Sequence, residues 1–207
     1  MSGRFITFEG IDGAGKSSAV GHVATLLQAR GIESLITREP GGTAAGERIR
    51  KILLDRDSAL LPETEALLVF AGRWQHLHEV ILPALARGIW VLCDRFTDAT
   101  IAYQGGGRGV SLARLEALKS WVQQGREPDL TLLFDTSVDT AGMRLQGRGD
   151  LDRFELESRG FHGRVRDAYL ELARRFPSRI TVIDSNHTPD AIKNTLEDII
   201  ATYCNSV

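Results

Sequence analysis

The sequence predicts an α/β fold, a doubly wound sheet of five parallel strands with helices on both faces. Three observations carry the prediction. Five short apolar runs are separated by amphipathic stretches of helical period, the alternation expected of a parallel sheet. Several runs are apolar on both faces, as strands buried between two helix layers are. The first run passes through a glycine-rich loop directly into a helical pattern, the strand–loop–helix unit on which such sheets build ligand sites.

The elements follow in order. Residues 5–8 form the first strand, and a helical stretch covers 17–30. A second strand at 34–37 precedes helical patterns near 44–54 and 63–87. The third strand, 89–93, is followed by a helix at 111–124. The fourth, 130–134, leads to helices at 137–146 and 154–176, and the fifth, 180–183, to a last helix at 189–203. Glycines cluster at Gly10, Gly13 and Gly15, at Gly41 and Gly42, at Gly105, Gly106, Gly107 and Gly109, and at Gly147 and Gly149. Each cluster borders a regular element, where tight turns need positive φ. They read as walls of one site or as ordinary turns. With no repeat, low-complexity tract or Pro/Ser-rich linker, residues 1–207 read as one domain with a mobile lid.

Composition narrows the class. The chain is 43% hydrophobic and 25% charged, enough to bury a core and too apolar for disorder. No run approaches the ~18 apolar residues of a membrane span, and the N-terminus carries no signal-peptide pattern. Cys93 and Cys204 have no metal-ligand spacing, so a reducing cytoplasmic location is expected. A net charge of −2 offers no overall basic field for nucleic acid.

Gly10-Ile11-Asp12-Gly13-Ala14-Gly15-Lys16-Ser17 completes the pattern G-x-x-x-x-G-K-[ST] between a strand and a helix. That context defines a P-loop, whose backbone N–H groups cradle phosphates at a helix N-terminus. Gly10 to Ser18 are therefore assigned to nucleoside-triphosphate binding. Lys16 reaches the β- and γ-phosphates and Ser17 helps to hold Mg²⁺. No asparagine precedes any of the four lysines, so the base-reading Asn-Lys-x-Asp of switch GTPases is absent.

Three further segments fall at the carboxyl ends of strands, where the crevice of an open α/β sheet lies. Asp94-Arg95 offers a carboxylate for Mg²⁺ and a clamp for a second anion, or simply a salt-bridged strand end. Arg38-Glu39-Pro40-Gly41-Gly42 reads as a rigid turn, because Pro40 fixes its own φ and biases Glu39 away from the helical region. Residues 144–153 carry three arginines and two glycines. They suit a lid that excludes water and neutralises charge, or a solvated helix end.

Gly10–Ser18, Thr37-Arg38-Glu39-Pro40-Gly41-Gly42, Phe70-Ala71-Gly72-Arg73, Asp94-Arg95-Phe96, Tyr103-Gln104-Gly105-Gly106-Gly107-Arg108-Gly109 and Leu151-Asp152-Arg153-Phe154-Glu155 occur in this order. Together they resemble bacterial thymidylate kinases from about residue 4 to 203. The resemblance implies transfer of the ATP γ-phosphoryl group to dTMP for dTTP synthesis, with Mg²⁺, by a homodimer, and makes ATP the nucleotide bound by Gly10 to Ser18. It implies that Arg95 holds the acceptor phosphate, Arg73 reaches the phosphate and thymine O4, and Thr100 and Gln104 bond the thymine edge. By the same resemblance, Tyr103 is expected against the deoxyribose, Asp12 facing the 3′-OH, and Glu39 supporting the same region. The lid, about 144–155, is expected to supply arginine to the reaction. Two departures shift assignments. A stacking phenylalanine of the family falls at Val69, so stacking passes to Phe70 or to another side chain; a lid arginine of some relatives falls at Gln146, so charge neutralisation rests on Arg148 and Arg153.

Two rivals remain: a monophosphate kinase with another acceptor, and an ATPase switch with a protein partner, which has no use for Arg95, Tyr103 and Gln104 together. The five histidines, the pair Trp74 and Trp121, and the run Arg164, Arg166, Arg174 and Arg175 read as helix-packing or surface residues.

Overall fold

A computed structural model describes residues 3–146 and 151–205. The five expected strands are present: β1 (Phe5–Glu9), β2 (Ser34–Arg38), β3 (Trp90–Asp94), β4 (Leu130–Asp135) and β5 (Ile180–Asp184). They pair in parallel in the order β2-β3-β1-β4-β5. From β1 the chain first goes to one side and then crosses to the other, which makes the carboxyl end of β1 the switch point where ligands bind.

The pleat sorts the core. Ile6 and Phe8 of β1 and Leu92 of β3 join a cluster with residues of α1 (Lys16–Gln28), α8 (Arg159–Arg175) and α9 (Pro189–Asn205). Their neighbours Phe5, Val91 and Cys93 join a second cluster with α3 (Pro62–His76), α4 (Leu82–Ala86) and α6 (Leu112–Gln123). Alternate residues thus face opposite helix layers. Thr7 and Thr131, paired across β1 and β4, satisfy each other's buried hydroxyls at 2.8 Å.

Three expectations need correction. The helix read over 63–87 is interrupted by a π-helical turn at Leu77–Ile81, which ends two residues before Pro83 of α4. Proline lacks an N–H and clashes with the preceding turn, and a wider turn accommodates both defects. The glycines at 105–107 are not an open turn: a short helix α5 (Thr97–Thr100) runs into a π segment, Ile101–Gly107. A Cβ on Gly107 would lie 2.5 and 2.7 Å from Phe161 ring atoms, and one on Gly106 2.7 Å from Ala168 Cβ. These glycines let the segment lie against α8. The last correction is at 154, where the predicted helix does not yet begin. Asp152 and Glu155 close a separate turn, with Asp152 Oδ1 accepting from the N–H groups of Phe154 and Glu155. Ser158 then caps α8 by accepting from Phe161 N. The remaining helices are α2 (Ala44–Leu54) and α7 (Val138–Leu145).

Candidate active site

The P-loop follows β1 as expected. Gly10 and Gly13 adopt φ of 135° and 80°, and a Cβ on either would collide with the carbonyl oxygen of Phe134 or of Ala141. Ile11 and Ala14 are buried in the core and anchor the loop. Gly15, at φ 94°, starts α1 without a side-chain cap, so the first N–H groups of the helix remain free for an anion. Ser17 and Ser18 are exposed at that end. Lys16 is nearly buried and donates to the carbonyls of Gly10 and Ile11 at 3.0 Å each. Burial and the neighbouring Arg95 pull its ammonium down to about 8.

Arg95 follows β3 with a left-handed φ of 70°. That turn sends its guanidinium back over the P-loop. It donates to Asp12 Oδ1 at 2.6 Å, the Gly10 carbonyl at 2.8 Å and the hydroxyls of Tyr103 and Tyr169 at 3.0 and 3.2 Å. Tyr103 in turn donates to Asp12 Oδ2 at 2.6 Å. Burial alone would raise the Asp12 carboxyl, but Arg95 and Lys16 outweigh it and hold Asp12 well below the usual carboxylate range. Burial pushes the Tyr103 hydroxyl up, so it remains a donor. Asp94, at the end of β3, lines the same cleft, and its buried Oδ1 is without a hydrogen-bond partner among the described residues, an orphan acceptor.

On the opposite wall, Arg73 of α3 is fully buried. Its Nε donates to Glu39 at 2.7 Å and its Nη2 to Thr100 at 2.9 Å, while Nη1 has no partner among the described residues. Phe70 and Phe96 sandwich the guanidinium carbon at 4.9 Å from each ring centroid. Gln104 reaches Glu65 of α3 at 3.2 Å.

These side chains bound two adjoining spaces. One, about 600 Å³ with the open solvent at its mouth included, is walled by Leu53, Leu54, Val69, Phe96, Ala99 and Phe154 and edged by Arg73, Thr100, Tyr103 and Gln104. The other, about 940 Å³, is polar and is lined by Gly13, Gly15, Lys16, Ser17, Ser18, Asp94 and Arg144. Asp12, Glu39, Arg50, Arg95 and Asp152 face both.

Several assignments change. Phe70 packs in the core, and it is Val69 that lines the cavity; the rotation of α3 on Phe96 decides this. Arg148 lies outside the described residues. Arg153 does not line the phosphate cleft: it donates to the Leu53 carbonyl at 3.0 and 3.1 Å and to Glu65 at 2.8 Å. Arg144 instead reaches the loop, donating to the carbonyls of Gly13 and Ser185 at 3.3 and 2.8 Å. Arg166, about a third exposed, is also a bidentate partner of Asp135, and the exposed Arg164 holds the Gly107 carbonyl. His76 was also missed. It is fully buried and bonds Glu39 at 2.9 Å and Thr37 at 2.7 Å. Its place three residues after Arg73, on one helix face, is the signal that could have found it.

Comparison with known proteins agrees with this geometry. A sequence model described as thymidylate kinase matches residues 8–196. The chain is 58% identical to the thymidylate kinase of Cupriavidus necator over 98% of its own length and all of the relative's. It is 52% identical to that of Nitrosomonas eutropha, covering 97% of this chain and 94% of the relative. The crystal structure of thymidylate kinase from Ehrlichia chaffeensis superposes with a TM-score of 0.78 at 31% identity, over 97% of this chain and 99% of that one. With full-length likeness at these identities, and with a P-loop cleft opening onto a second, apolar-walled pocket, the chain belongs to the thymidylate kinase family.

Proposed function

We propose that this protein transfers the γ-phosphoryl group of ATP to dTMP, giving dTDP, with the nucleotide phosphates over the P-loop and the thymine in the apolar-walled cavity. The observation that carries the reading is the shared wall: Asp12, Glu39 and Arg95 face both spaces, so a donor in one and an acceptor in the other meet at these side chains. The acceptor phosphate is already largely ionised near neutrality (second pKa ~6). Positioning and charge neutralisation therefore do most of the catalysis.

The parts divide as follows. Lys16, tied to the carbonyls of its own loop, exchanges them for phosphate oxygens. Arg95 takes the acceptor phosphate from its fixed place beside Asp12. The Tyr103 hydroxyl, pinned between Asp12 and Arg95, lies where a ribose 2′-OH would have to sit. Arg73 Nη1, Thr100 and Gln104 face the base edge. Arg144 is the lid-side cation beside the loop, with Arg148 assigned to join it. Arg153 serves as an anchor that ties the lid to α2 and α3.

Mg²⁺ fits the donors present. Asp94 has an orphan oxygen and the Ser17 hydroxyl is exposed in the same cleft. Among the described residues no group of three His, Cys, Asp or Glu would hold a metal alone, as suits an ion whose remaining ligands are phosphates and water. When bound, it supplies charge neutralisation between the β- and γ-phosphates. The proposal extends to a homodimer in the cytoplasm. Ile52 and Leu67, each about half exposed, supply apolar surface for a second copy, and no helix among the described residues is long and apolar enough to cross a membrane.

The test is ADP formation from ATP and Mg²⁺ with dTMP, dUMP, ribosyl-TMP, dCMP or dGMP, and without acceptor. The expected result is ADP with dTMP well above the others, with some dUMP turnover, because one buried methyl contributes only ~0.8 kcal/mol. ADP without acceptor, or a preference for dCMP or dGMP, overturns the reading.

A further inference from the structure

We propose that Glu65 is a positioning residue for base selection: it fixes the Gln104 amide so that the carbonyl oxygen, not the NH₂, faces the acceptor base. The inference rests on the acceptor pocket assigned above and identifies how that pocket rejects a 4-amino pyrimidine.

Glu65 stands on α3, only 1% exposed, away from the phosphates. Arg153 Nη1 donates to its Oε1 at 2.8 Å, and Arg108 Nε lies 3.1 and 3.2 Å from its two oxygens. Guanidinium groups only donate, so Glu65 is an acceptor to both. Its third partner, the Gln104 side chain at 3.2 Å, must then present its NH₂ end. The two ends of an amide point apart, which leaves Oε1 for the cavity that Gln104 lines. An unrestrained glutamine offers either end and distinguishes little; held by a carboxylate, it offers an acceptor alone.

The other half of the pattern is Arg73. Arg73 lines the same cavity, and its buried Nη1 is without a partner among the described residues, a donor waiting for an acceptor. One donor beside one acceptor matches a pyrimidine with C4=O and N3–H. A cytosine presents the reverse, an unprotonated N3 and a 4-amino group, and would set acceptor against acceptor and donor against donor. Such mismatches cost more than a missing contact.

The test compares kcat/KM for dTMP and dCMP in wild type, Glu65→Gln, Glu65→Asp and Gln104→Ala, with thermal unfolding of each. Glu65→Gln keeps the shape but allows the Gln104 amide to turn. Glu65→Asp keeps the charge, as a safeguard if the first variant does not fold, and withdraws the oxygen by a methylene. Each is expected to lower the dTMP:dCMP ratio on the order of tenfold or more, chiefly through KM for dTMP. In a Gln104→Ala background neither should change the ratio further. A merely structural role would lower both activities together, and an unchanged ratio in a folded Glu65 variant overturns the proposal. Wild type that does not prefer dTMP overturns the acceptor reading itself, and this inference with it.

Discussion

Replacing Arg95 separates what this residue does for the reaction from what it costs the fold. Its guanidinium makes four hydrogen bonds within 3.2 Å, the shortest to Asp12. In Arg95→Ala, Asp12 loses this ion pair and retains Tyr103. The pair is 15% and 22% exposed, so its loss should cost about 2 kcal/mol, below the 3–5 of a fully enclosed pair. The backbone supplies an opposing term. A left-handed φ of 70° strains any residue with a Cβ by about 1–2 kcal/mol. Glycine escapes that strain but gains roughly 0.5 kcal/mol of unfolded-chain freedom. Arg95→Gly should therefore be about 1 kcal/mol more stable than Arg95→Ala, a rise of roughly 2–4 °C in Tm. Turnover should not follow stability. Both variants lose the cation proposed to hold the acceptor phosphate, for which a drop of roughly 10³-fold in kcat/KM is expected. Coupled ADP formation with dTMP, beside thermal unfolding of the three proteins, reads both quantities. A folded Arg95→Ala enzyme within tenfold of wild type would refute the role in catalysis. Equal stability of the two variants would refute the strain.

Further outcomes follow from the same geometry. Lys16→Ala should abolish most ADP formation without lowering Tm, because burial already disfavours the ammonium in the fold; near-normal turnover in the folded variant would remove Lys16 from the site. Gly107→Ala should cost about 1–3 kcal/mol, since its Cβ meets the Phe161 ring at 2.5 Å and Val165 at 3.0 Å. Gly163→Ala, in the same helix as Phe161 and with open space around its Cβ, should instead gain about 0.5–1 kcal/mol; denaturant unfolding that ranks the two alike would contradict the packing. Burial, reinforced by Asp98, pushes Glu9 up from 4.5 to about 7. Between those values the native chain keeps a proton that the unfolded chain has released, so the Glu9 contribution is full below pH 4.5 and declines as pH rises to 7. Urea unfolding of wild type and Glu9→Gln should show the difference moving against wild type by about 3 kcal/mol between pH 4.5 and 7.5; a flat difference would contradict it.

Much of the scaffold was legible because its signals are local. Apolar runs flanked by helical periods mark five strands, and a glycine-spaced loop ending in Lys16-Ser17 states its phosphate chemistry within eight residues. The π segment at Ile101–Gly107 was not legible, since a glycine run looks alike in a turn and in a close helix contact. Only Phe161 and Ala168, more than fifty residues away, tell the two apart. Phe70 against Val69 was a question of helix rotation, and a one-residue turn of about 100° is settled by what α3 packs on.

The charged side chains show the division most clearly. The sequence by itself determined that arginines, carboxylates and a lysine would gather at the carboxyl ends of parallel strands, because strand direction and loop position follow from local pattern. Which of them meet was decided by tertiary structure alone. Arg153 pairs with Glu65, 88 positions away, Arg73 with Glu39 across 34, and Arg95 with Asp12 across 83. A guanidinium takes whichever buried acceptor lies within ~3 Å, and that distance is set by how α3, the turn at Asp152–Glu155 and the switch point of the sheet come together, not by any residue's neighbours along the chain.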